Sequence, residues 1–134
     1  MITKIFYIPN KGTDAVPCTS ANLLANLGME NDYHAVGGDK QLSIITKELF
    51  EKLQREDGLC FKRFKPNIVV DTQLQDGKYQ VGDSVIIIKK HQKKCFDECN
   101  RNDKSNCLMK TFIYDAQVIN TGEIKLNDEF IKKA

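Results

Sequence analysis

The residues best suited to covalent chemistry crowd into one stretch of this 134-residue chain, Val81 to Cys107. It opens as a strand, because Ser84 to Ile88 is rich in β-formers, with three consecutive isoleucines. It then crosses Lys89, Lys90, His91, Lys93 and Lys94 and delivers Cys95, Cys99 and Cys107. An apolar strand thus pins one end, and the other presents a thiol just after four lysines. Thiolate is the reactive form of cysteine, and nearby cations stabilise it. The effect requires lysines close to the sulfur, since exposed charges are screened beyond roughly 8–10 Å. Asp97 and Glu98 act in the opposite sense. Cys95 is therefore the candidate working thiol. The bland alternative is a solvated basic loop followed by a buried structural cysteine.

The same stretch admits a second chemistry. His91, Cys95, Cys99 and Cys107 supply one imidazole and three thiols, the inventory of a tetrahedral zinc site, although their spacing is not that of a common zinc finger. Zinc would occupy the Cys95 sulfur and leave it unable to react. A regulatory disulfide among the three cysteines, or a binding module with no chemistry, are the remaining readings.

Outside this stretch the chemistry-bearing residues are sparse. Asp32 and His34 lie in a polar loop, Glu30 to Gly38, that ends in a Gly37-Gly38 pair. A histidine beside Asp32 and small residues is as well explained as a hydrogen-bonded loop anchor. Ser43 and Asn67 are expected to satisfy backbone groups, as such side chains do in caps and turns. Cys60 reads as a small buried hydrophobe, and Cys18, in a loop after Pro17, is given no role.

Composition bounds what these residues can belong to. The length is near the commonest single-domain size, and 41% hydrophobic with 28% charged residues describes an ordinary globular domain. A net charge of +2 argues against nucleic acid as a partner. No apolar run approaches a membrane span, so no membrane is expected. The N-terminal stretch lacks a signal peptide's apolar core and cleavage site, so a cytoplasmic location is the default. There, five cysteines are expected as thiols, metal ligands or catalytic groups rather than a disulfide frame.

The elements that must position the thiol follow from periodicity. Thr3 to Ile8 reads as a strand ended by Pro9 to Gly12. Ala21 to Leu27 reads as a short helical turn closed by Gly28. Lys40 to Ile44 alternates polar and apolar, the pattern of a half-buried strand. Thr46 is placed to cap a helix over Lys47 to Glu56, with Leu49, Phe50 and Leu53 on one face. Pro66 to Asp71 is a strand with proline at its start. Asp76-Gly77 turns the chain toward Val81 to Ile88, and Phe112 to Ile119 is a further strand. Thr121-Gly122 is expected to return Glu123 to Leu126 as its hairpin partner, and the tail from Asp128 reads as one helical turn. The expectation is one domain over residues 1–134: mainly β, a closed or partly closed antiparallel barrel with one or two short helices, since closure removes exposed strand edges.

Taken together, these segments resemble a known family. Asp32-Tyr33-His34-Ala35, then Lys40-Gln41-Leu42-Ser43-Ile44 and the capped helix, resemble the D-x-H-A and R-Q-V-S-L patterns of MOSC domains, named for the C-terminal region of molybdenum-cofactor sulfurases. Asn67 to Val70 is similar to the family's asparagine-bearing strand, and Val81-Gly82-Asp83 to its V-G-D turn. Cys95 falls at the family's cysteine, and Cys99, Cys107 and Met109 resemble its small stand-alone members. Ala116, Val118 and Gly122 to Leu126 match its closing hairpin. Lys40 departs from the family's arginine, keeping charge but losing the planar fork suited to an oxyanion. Ile113 and Asn127 replace glycines, and Asp115 replaces an aromatic residue.

The resemblance implies a β-barrel and a role as a sulfur carrier or in handling the molybdenum cofactor, sulfurtransferase-like or as a component of a molybdenum-cofactor enzyme system. It implies Cys95 as a persulfide-forming or molybdenum-contacting thiol. On that reading the chemistry of the residues casts Cys99 as resolving the persulfide, if it lies one helical turn from Cys95 on the same face, and His34 as acid/base or oxyanion donor. The resemblance further implies cofactor contacts from Asp32, Lys40, Gln41, Ser43, Asn67, Lys93 and Lys94. The partners implied are a sulfur donor such as a cysteine desulfurase and a molybdenum-cofactor protein.

Overall fold

The computed structural model describes residues 1–10, 12–33, 35–38, 41–53, 66–90 and 113–133. In chain order the elements are β1 (Ile2–Tyr7), β2 (Val16–Cys18), β3 (Ser20–Leu24), β4 (Gly28–Met29), β5 (Leu42–Thr46), α1 (Lys47–Leu53), β6 (Ile68–Val70), β7 (Gly77–Val81), β8 (Ser84–Lys90), β9 (Ile113–Asn120), β10 (Gly122–Lys125) and β11 (Phe130–Lys132). Eight strands form one sheet in the order β11-β7-β8-β9-β5-β6-β1-β2, and β10-β3-β4 form a second. The large sheet curls into a half-barrel. Its far ends approach through the chain just before β11: Ile2 N–H donates to the Asp128 carbonyl, and Asn127 N–H donates to that of Ile2, both at 2.9 Å.

Alternation along the central strands gives this curl an apolar interior. Along β8, Ile86 and Ile88 are fully buried in the barrel interior while Ile87 between them is half-buried on the outer face. Tyr114, Ala116 and Val118 do the same on β9. The central strand β5 departs from its half-buried expectation. Ile44 faces the barrel interior, and Ile45 is fully buried as well, because α1 packs back against β5 and β6. The helix begins where Thr46 caps it: the Leu49 N–H donates to Thr46 Oγ1 at 3.3 Å. Leu49 is fully buried, and Phe50 stacks on Phe6 with ring centroids 5.9 Å apart. The part of the expected helix beyond Leu53 lies outside the described residues.

Among the described residues, ladders between neighbours are antiparallel, as expected, with one exception. β5 and β6 run parallel, Ile44 opposite Ile68 and Ile45 opposite Val69. A parallel pair needs a crossover, and the segment containing α1 provides it.

Four local expectations are corrected. Ala21 to Leu27 is not a helical turn: β3 runs to Leu24, pairs with β10 and β4, and buries Leu23. Glu123 to Leu126 does not fold back on β9. Instead β10 crosses to β3, Glu123 opposite Asn22, while Thr121 Oγ1 accepts from Ala25 N–H at 2.8 Å. Gly122 permits that crossing, since a Cβ there would lie 2.3 Å from the Asp83 backbone. The tail is not helical either: β11 pairs with β7, and Phe130 meets Tyr79 edge-on with centroids 6.0 Å apart. Cys18 is in strand β2 opposite Ile5 rather than in a loop. In each case long-range ladder bonds overrode a weak local preference.

Candidate functional site

Four of the site residues named from the sequence lie among the described residues: Asp32, Gln41, Ser43 and Asn67. Three of them meet. Asn67 stands just before β6, fully buried, where the parallel pairing sets it beside Ser43 of β5. Its backbone N–H donates to the Ser43 carbonyl at 2.9 Å, and its side-chain Oδ1 accepts from the Ser43 N–H at 3.1 Å. Its Nδ2 donates to the Phe6 carbonyl at 3.2 Å and to Asp32 Oδ1 at 3.0 Å. Asp32 Oδ1 also accepts from the Ile8 N–H at 2.6 Å. One buried amide and one buried carboxylate thereby tie together the end of β1, the loop before β5, β5 itself and the start of β6.

Gln41 makes a second clamp. Its Oε1 accepts from Val118 N–H at 2.9 Å and its Nε2 donates to the Gly38 carbonyl at 2.7 Å. Buried beside β9, it fixes the glycine pair to the sheet. Asn67 and Gln41 are thus occupied with backbone groups, as buried amides must be if their desolvation is to be offset. Among the described residues the Ser43 hydroxyl has no hydrogen-bond partner, and the side chain is half-buried.

The ladders place this network next to the roots of the cysteine-bearing segment. β8 and β9 pair up to Lys90 opposite Tyr114, and Tyr114 lies opposite Ile44. Lys89, Asp115 and Ser43 fall in one row across β8, β9 and β5, on the face away from the barrel interior. β8 ends at Lys90 and β9 begins at Ile113, which lies opposite Ile45, two positions beyond Ser43. The last described amide of β8 is held in place: Lys90 N–H donates to Asp76 Oδ1 at 2.9 Å. His34, Lys40, Cys60, His91, Lys93, Lys94, Cys95, Cys99, Cys107 and Met109 lie outside the described residues, and with them the thiol, zinc and disulfide readings. Sequence reasoning gave Lys89 and Asp115 no place in a row with Ser43, because nothing local encodes strand register.

Cys18 is the one cysteine among the described residues. Its Sγ lies 3.7 Å from the Ile5 carbonyl, and burial pushes its thiol above the ordinary value. A thiol so placed is a poor nucleophile near neutral pH. It borders a recess of about 150 Å³ that Tyr7, Asn22, Glu30 and Glu123 also line.

No protein-family model matches the chain, and no curated protein matches it. Among solved structures, the crystal structure of a hypothetical protein superposes with a TM-score of 0.69 at 14% identity, over 100% of this chain and 67% of the other. That likeness is one of fold.

Proposed function

We propose that the protein is a sulfur carrier of the MOSC type, with Cys95 as the thiol that accepts and passes on sulfur. One observation supports the reading above others. Asp32, Ser43 and Asn67, three positions through which the sequence resembles MOSC domains, meet in one buried hydrogen-bond network although Asp32 and Asn67 are 35 residues apart. Three residues that carry the resemblance are therefore neighbours in space as well as successive in the chain. The network lies beside β9, the strand that follows the Cys95 segment in the chain.

In the transfer step the Cys95 thiolate attacks the terminal sulfur of a donor persulfide. A new sulfur–sulfur bond forms on Cys95, the donor's own breaks, and the donor leaves as a thiolate. Lys93 and Lys94 are assigned to stabilising the Cys95 anion, and His34 to moving its proton. Attack by Cys99 on the Cys95 sulfur then expels hydrosulfide and leaves a disulfide. The resemblance also implies contact with the molybdenum cofactor. Of the described residues assigned to it, Gln41 and Asn67 are engaged by backbone and Asp32 holds Ile8 and Asn67. Of these the Ser43 hydroxyl has no partner among the described residues, and Lys40, Lys93 and Lys94 lie outside them.

The test is intact mass of the reduced protein after incubation with a cysteine desulfurase and cysteine. The expected result is a gain of one sulfur that is trapped in Cys99→Ser, where nothing resolves the persulfide, and is lost in Cys95→Ser. A gain that persists in Cys95→Ser but vanishes in Cys99→Ser overturns the assignment.

A further inference from the structure

We draw no further inference here: the strongest candidate, the recess between β1, β2 and β3 lined by Tyr7, Cys18, Glu30 and Glu123, is a pair of carboxylates beside one half-buried thiol, and nothing in the structure shows what it would hold.

Discussion

At the scale of single residues, Asn67 ties several elements together. It is fully buried, and its side chain meets two backbone groups and one carboxylate at once. Truncation leaves the Ser43 N–H, the Phe6 carbonyl and Asp32 each short of a partner, and each such loss costs about 1–3 kcal/mol when buried. Asn67→Ala is therefore expected to lose about 3 kcal/mol in urea unfolding. Asn67→Asp is the sharper experiment. It keeps an acceptor for Ser43 but sets a second carboxylate against Asp32, so the pair must share a proton. The folded protein then binds that proton more tightly than the unfolded chain, and stability should rise as pH falls from neutral. Wild-type stability of Asn67→Asp at pH 7 would mean that the two side chains do not meet.

At the scale of elements, two short features decide how the chain is routed. Thr46 starts α1 by accepting from Leu49 N–H, and α1 covers the outer face of β5 and β6. Thr46→Ala is expected to cost about 1 kcal/mol and Thr46→Ser to recover most of it, since either hydroxyl can cap. Gly122 lets β10 leave β9 for β3. Its added methyl would meet the Asp83 backbone at 2.3 Å, whereas at Gly12 it would meet nothing within 4 Å. Gly122→Ala should thus cost about 2–3 kcal/mol through overpacking. Gly12→Ala should cost about 1 kcal/mol, the penalty of a left-handed backbone for an L-residue. Equal thermal shifts in the two variants would contradict the crossing.

At the scale of the whole molecule, the half-barrel is drawn together where the two ends of the chain meet. The Met1 ammonium lies 2.8 Å from Asp71 and 3.4 Å from Glu129. Burial disfavours the ammonium's charge, but the hydrogen bonds and charges of Asp71 and Glu129 prevail and raise it above its ordinary 8.0. The bond from the ammonium holds Asp71 below its ordinary 3.8. The two shifts have opposite signs. The ammonium's contribution is complete below pH 8.0 and fades as pH rises through its raised value, while that of Asp71 is complete above pH 3.8 and fades on acidification. In Asp71→Asn both wings of the stability–pH curve should flatten, by a small amount because the pair is exposed. Unchanged wings would show that the contact contributes nothing in solution. The amino-acid sequence by itself determined that the chain is mainly β, and it located the capped helix, β1, β5, β6, β8 and β9, because a period of two and an N-cap are written in neighbouring residues. It also singled out Asp32, Gln41, Ser43 and Asn67. Tertiary structure alone decided that β3 is a strand, that β10 joins it rather than β9, that β5 and β6 run parallel, and that Asp32 reaches Asn67. Those outcomes depend on which distant backbone groups satisfy one another once the sheet curls, and a hydrogen bond across 35 residues leaves no periodic trace in either partner's neighbours.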